Sequence, residues 1–270
     1  DVICISIPLC MNGFLTNILG TLATLVVPRR LISAGFDYSE ALSMIGKYNG
    51  MAICIITIPM IVVSTINTLL IPDLSQTLNQ GKEYEASLRI RKVIKLAFLL
   101  GLATAIICNV VPVNLGEMFF GRDDLGSYIR FSSFSAPIIF TSLTMFGILN
   151  GLNRQGIILR NSLIEAVTEL ICLYIFTSIH SINIFGYSIT MCIACSISFL
   201  LNIHEVKKHI DININPYNVI IYLLLGLLVF IIVSIFSKHF SAYFPIANNF
   251  AVMGITFLIF AYLGGFGETE

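Results

Sequence analysis

Apolar residues run through the chain in long stretches separated by short polar connections. A helix that crosses a bilayer needs about 20 predominantly apolar residues. Eight stretches reach that length: 3–27, 50–72, 96–118, 131–151, 157–179, 184–203, 217–237 and 246–265. Strand-type alternation punctuated by turns at barrel spacing is absent, so the pattern predicts helices and not a membrane barrel. Short polar connections make sequence neighbours antiparallel. Two connecting segments carry patterns of their own. In 35–48, Asp37 precedes Glu40 by three residues, a capping box that predicts a short helix on the outer surface leading into the second span. In 82–95, Tyr84, Leu88, Arg91 and Lys95 share a helical stripe, which predicts an amphipathic helix along the cytoplasmic interface. Within the spans, Thr65, Asn67 and Thr68 precede Pro72, where a kink is expected. Gly147 and Gly151 form a G-x-x-x-G, which predicts a tight helix crossing. Thr16, Gly20 and Thr24 line up on the first span and suit either close helix packing or a cavity wall, packing being the simpler reading.

Composition narrows the class. Hydrophobic residues make up 57% of the 270, charged residues 11%, and mean hydropathy is +0.91. Soluble domains carry about 25% charged residues, so lipid is the solvent that this surface suits. Net charge is zero, which leaves no electrostatic footprint for a nucleic acid. The seven cysteines all lie inside apolar runs, and Cys192 and Cys195 read as small apolar neighbours on a helix face and not as a metal or redox pair. The chain starts at Asp1 inside an apolar run, with no basic segment before it, so it reads as the downstream part of a longer protein.

Basic residues set the orientation. The segments 80–95, 152–160 and 204–216 fall on one side by parity and hold Lys82, Arg89, Arg91, Lys92, Lys95, Arg154, Arg160, Lys207 and Lys208. The other side holds Arg29, Arg30, Lys47, Arg122, Arg130 and Lys238. Lys/Arg excess marks the cytoplasmic face, so the first three segments, and both ends of the chain, are expected there.

Charges inside the spans are the candidate chemistry. Glu165 and Glu169 lie four apart on one face of the fifth span, with Asn161 a turn earlier. Counted from Arg160, they sit about 7 Å and about 13 Å deep. A carboxylate at the bilayer centre costs roughly 2.5–3.5 kcal/mol on insertion scales, so both are expected to face protein or water. Adjacent like charges favour a shared proton or a bound cation; polar side chains gluing two helices together is the plainer alternative. Arg29 and Arg30 end the first span on the outer side and Arg130 lies near the outer end of the fourth. Their guanidinium forks suit pyrophosphate oxygens, or they snorkel to lipid headgroups. His180, His204, His209 and His239 lie in connections, and no P-loop, nucleophile elbow or zinc helix occurs, so an enzyme is not expected.

Four strings carry a resemblance. They are Val27-Pro28-Arg29-Arg30-Leu31, then Glu40 to Ala52 (EALSMIGKYNGMA), Leu70-Ile71-Pro72-Asp73-Leu74-Ser75, and Gly147 to Arg154 (GILNGLNR). In this order and spacing the chain resembles the second half of the MOP exporter superfamily, in its polysaccharide flippase branch. The resemblance implies an all-α integral membrane fold with two six-helix lobes around a cavity. Residues 1–212 would be the second, MATE-like lobe and 213–270 two additional peripheral C-terminal transmembrane helices. It further implies flipping of a lipid-linked oligosaccharide or peptidoglycan-type precursor across the bacterial cytoplasmic membrane, in cell-wall or spore-envelope synthesis. The partners implied are that lipid-linked sugar, membrane lipid and the first lobe of the same protein. The last two helices would help form a groove for the lipid tail.

In a related flippase group, a sodium site uses an Asn and an acid four apart with a Thr on the next helix. Asn161 and Glu165 match, and Thr190 would be the third member. The acid that the same site takes from the lobe's first helix has no counterpart in Leu22-Ala23-Thr24, a departure from the sodium pattern; sodium or a proton is the coupling ion expected, with no other cofactor. The same-class alternative is a cation-coupled drug antiporter, which usually has twelve spans; a non-transporting scaffold for envelope assembly would not need Glu165 and Glu169.

Overall fold

The computed structural model describes residues 2–212, 215–241 and 245–265. Among these every regular element is a helix. Helix α1 (Val2–Ser33) is followed by α2 (Tyr38–Ile45), which starts with the expected capping box: Asp37 accepts from the Ser39 amide, and Glu40 accepts from the Asp37 amide. It is not a separate surface helix. It runs without a break through a π-helical segment, Gly46–Ala52, into α3 (Ile53–Thr57). The chain then bends by 56° into α4 (Met60–Asn79). The bend falls at Pro59 and not at Pro72, which lies inside α4. Leu70 and Leu74, buried either side of Pro72, hold the axis there, while the Ile58 amide next to Pro59 reaches only the Ile55 carbonyl, at 3.4 Å.

The segment 82–95 also departs from expectation. It forms the first turns of one continuous helix, α5 (Glu83–Val110), instead of lying separately along the interface. The stripe that packs is Ala86, Ile90, Ile94 and Ala97, all buried, whereas Tyr84 stays exposed. A short α6 (Pro112–Phe120) and α7 (Gly126–Ser133) lead to α8 (Ala136–Gly151), with a 51° bend between α7 and α8. Next come α9 (Gln155–Phe176), α10 (Gly186–Lys207), α11 (Pro216–Phe240) and α12 (Pro245–Gly265).

All eight apolar stretches are therefore helical, but a count of eight spans is not confirmed. Among the described residues five single helices are long and apolar enough to cross a membrane, or seven with each bent pair taken as one span. Helix α9 has a suitable length of 22 residues but carries Arg160, Glu165 and Glu169.

Close backbone approaches lock the bundle. A Cβ on Gly101 of α5 would lie 2.4 Å from Pro137 Cα, so α5 and α8 touch backbone to backbone at the α7–α8 bend. The expected crossing at Gly147 and Gly151 is present, with α4 as its partner: Asn67 fills the space over Gly147, and Leu74 that over Gly151. Helix α9 packs between α1 and α10, and α10 also packs on α8. Helices α11 and α12 pack on α5 and on each other, tied by an Asn248–Ser237 hydrogen bond of 2.9 Å. The expected division after residue 212 falls beside residues 213 and 214, which lie outside the described residues.

The three basic connections do share one end. Ser87 donates to the Asp211 carbonyl at 2.9 Å, Arg154 meets His209 at 3.4 Å, and Ile90, Ile158, Val206 and Ile212 bury one another. At the opposite end His180 stacks on Phe36, Tyr48 bonds Ser188 at 2.6 Å, and Lys47 pairs with Asp124 at 2.8 Å. The fold thus has a basic pole and an opposite pole, as parity predicts.

Candidate functional site

Helix α9 carries the two carboxylates against α10. Glu165 lines a cavity of about 220 Å³ among α4, α8, α9 and α10, with Met60, Ser162, Cys195, Ser198 and Asn202 around it. The Cys195 thiol donates to Glu165 Oε1 at 3.7 Å. Glu169 does not line that cavity. It lies one turn towards the opposite pole, half-buried, within Coulombic reach of Glu165, Cys195 and Tyr187. The pair shares one stripe, as the spacing requires.

Asn161 is fully buried and already engaged on both sides. Its Nδ2 donates to Asn202 Oδ1 at 2.7 Å, and its Oδ1 accepts from Arg160 Nε at 3.0 Å. Thr190 is fully buried too, and its hydroxyl has no hydrogen-bond partner among the described residues. Asn161 sits level with Asn202, and Thr190 lies twelve residues earlier on α10, about 18 Å along a helix with a 1.5 Å rise. One ion cannot touch both. The structure therefore does not bring Asn161 and Thr190 to one ion, and the matching stretch Leu22-Ala23-Thr24 on α1 holds no carboxylate. What Asn161 builds instead is a polar ladder tying α9 to α10.

That ladder ends at a residue the sequence reading passed over. Glu205, buried at the basic pole of α10, pairs with Lys208 at 3.0 Å, Arg160 at 3.7 Å and His209 at 3.8 Å. Asn202 and Ser198 continue the ladder to the cavity, with Asn202 donating to Ser198 Oγ at 3.3 Å. The spacing Ser198, Asn202, Glu205 on α10 is an i, i+4, i+7 stripe that could have been found from the sequence.

The three arginines are not brought together. Arg30 is committed to α9: its Nε donates to Ser178 Oγ at 2.7 Å and to the Tyr174 carbonyl at 3.2 Å, and the guanidinium lies 3.9 Å over the Tyr174 ring. Arg29 is exposed beside it, and Arg130 is exposed at the end of α7. Both are without a side-chain partner among the described residues. Near Arg130, Asp124 accepts both Arg122 forks and the Lys47 ammonium, which hold its carboxyl well below the usual carboxylate range.

A second polar surface is uncovered. Thr16, Asn17, Gly20, Thr21 and Thr24 on α1 are exposed, and a Cβ on Gly20 would meet nothing within 4 Å. The expected packing against this stripe is therefore not present in this chain. The side chains bond back to their own helix, as Thr16 does to the Asn12 carbonyl at 2.9 Å. Ser64, Thr65 and Thr68 on α4 are exposed and back-bonded in the same way, and they line an open groove with Thr57 and Met60.

No family model matches the sequence. The chain is 23% identical over 210 residues to stage V sporulation protein B of Bacillus subtilis (strain 168), a match that covers 78% of this chain and 40% of that protein. Its fold is similar to that of lipid II flippase MurJ in an inward closed conformation, with a TM-score of 0.66 and 13% identity over 93% of this chain and 52% of that one. The chain spans about half the length of these proteins, or less. The chain is thus similar in sequence to a sporulation protein and in fold to a lipid flippase, and among the described residues five helices, or seven with each bent pair taken as one span, are long and apolar enough to cross a membrane.

Proposed function

We propose that the chain is the second lobe, with two further helices, of a transporter that flips a lipid-linked oligosaccharide or peptidoglycan-type precursor across the bacterial cytoplasmic membrane. The observation that carries this reading is the uncovered polar stripe on α1 and α4. In lipid, a stripe of Thr, Asn and Ser is costly unless it faces water or protein. A first lobe of the same protein, closing over both helices, would turn the stripe into one wall of a central cavity, as in carriers built from paired repeats. An apolar cavity of about 230 Å³ among α4, α5 and α12, lined by Val63, Leu96, Leu100, Phe257 and Phe260, adjoins that wall and suits a lipid tail.

Glu165 and Glu169 are the coupling groups in this reading, and a proton is the ion they suit. A proton needs only the carboxylates, whereas a sodium shell would need oxygens that Asn161 and Thr190 cannot supply together. The test uses the full-length protein in proteoliposomes with a fluorescent lipid-linked saccharide. Glu165→Gln is expected to reduce flipping driven by a pH gradient to background while thermal unfolding stays unchanged. Wild-type rates from this variant at every pH would remove Glu165 from the mechanism. No saccharide-dependent signal from the wild-type protein would remove the flippase reading itself.

A further inference from the structure

A larger cavity, of about 490 Å³, lies outside the carboxylate site and the α4–α12 groove. It sits between α5 and α11, floored by α8 and α10. Ligand sites usually occupy about 300–1,000 Å³. Its chemistry is graded along the helix axes. At the basic pole it opens between Arg91 and Lys95, an i, i+4 pair on α5, and Asn218 and Tyr222, the facing i, i+4 pair on α11. Deeper in, the walls are Phe98, Ile138 and Phe199.

The two cations are poised differently. Lys95 Nζ lies 5.8 Å from the centroid of the Tyr222 ring, which holds the ammonium at the mouth. Arg91 Nε is buried and has no hydrogen-bond partner among the described residues. Among the described residues neither cation is paired with a carboxylate. A buried guanidinium donor without an acceptor is costly to leave unmade, and a phosphate oxygen is the acceptor that its fork fits best. Leu200, on the cavity's α10 wall, is largely exposed, so the cavity opens sideways towards lipid.

We infer that this cavity binds an anionic phospholipid of the cytoplasmic leaflet, its phosphate between Arg91 and Lys95 and one acyl chain along Phe98, Ile138 and Phe199. The gradient from charged mouth to apolar depth is that of a half-leaflet, and a soluble anion would have no use for the apolar end. A bound lipid would bridge α5 to α11, which otherwise meet at this end across the cavity. The site depends on the basic pole being cytoplasmic and not on what the protein transports.

The test is native mass spectrometry of the full-length protein titrated with phosphatidylglycerol or phosphatidylcholine of the same acyl chains. Wild-type protein is expected to retain phosphatidylglycerol at least tenfold more tightly, and Arg91→Gln with Lys95→Gln to remove that preference while Lys82→Gln, at the exposed start of α5, keeps it. Equal retention of the two lipids, or an unchanged preference in the double variant, overturns the proposal. So does a preference displaced stoichiometrically by a lipid-linked pyrophosphate saccharide, since the cavity would then be a transport subsite. Loss of folding in the double variant is read from its thermal unfolding, in which case Lys95→Gln alone is expected to weaken phosphatidylglycerol by several-fold, and no weakening counts against the site.

Discussion

Arg29 and Arg30 look equivalent in the sequence and are not equivalent in the structure. Arg30 makes two donor contacts and stacks on Tyr174, whereas Arg29 points away from the bundle. Arg30→Lys keeps the charge but loses the fork and much of the stack, and is expected to cost about 1–3 kcal/mol of stability in a denaturation experiment. Arg29→Lys should lie within about 0.5 kcal/mol of wild type; a substrate role for Arg29 would then show as impaired flipping in a protein of normal stability. Asp124 gives a pH signature. Its carboxyl is held low by Arg122 and Lys47, so the stability it contributes is complete above the ordinary carboxylate value of about 3.9 and is lost as pH falls through the lower folded value. The stability difference between wild type and Asp124→Asn should therefore be flat from pH 8 to pH 5 and shrink only in stronger acid. The pairing of Glu165 with Glu169 was legible because two charges in an apolar run stand out. Asn202 and Glu205 stand out less, because a polar residue near the end of a span looks like the start of a loop, and only their shared stripe with Ser198 sets them apart from one.

Helices are where the sequence was most informative, and their breaks where it was least. Apolar stretches of the right length predicted every long helix, and the G-x-x-x-G predicted a crossing that Asn67 and Leu74 fill. Pattern alone did not separate Pro59 from Pro72, since the outcome depends on what packs either side. Nor did it show α5 as continuous, because a charged first half and an apolar second half read as two elements. The α5–α8 contact offers a direct test. Gly101→Ala places a methyl group into the Pro137 backbone and is expected to destabilise by about 1–3 kcal/mol or more. Gly254→Ala on α12, where a Cβ meets nothing within 4 Å, should be neutral or slightly stabilising. Equal melting of the two variants would show that α5 and α8 do not touch as described.

At the scale of the molecule, topology can be checked by labelling with a membrane-impermeant maleimide. Ser127 is exposed at the pole opposite the basic one, and Ser127→Cys should react from outside intact cells. Gln80, exposed at the basic pole, should react as Cys only after permeabilisation; Ser87 is a poor reporter because it is buried and bonded to Asp211. Reaction at Gln80→Cys in intact cells would invert the assignment. The π-helical segment at Gly46–Ala52 has a consequence of another kind. There the Ile53 amide reaches back five residues, to the Tyr48 carbonyl, where an α-helix would reach four. The segment therefore holds about one residue more than an α-helix covering the same length, and Gly50 is an exposed candidate for the surplus. Deleting it would let the segment close into a plain α-helix of about the same length and total winding, so the helices on either side would keep their relative orientation. Lys47 and Tyr48 could then still face Asp124 and Ser188 while α3 kept its seat before the Pro59 bend. Aligned sequences that differ by a single gap here would describe the same bundle, one with the bulge and one without.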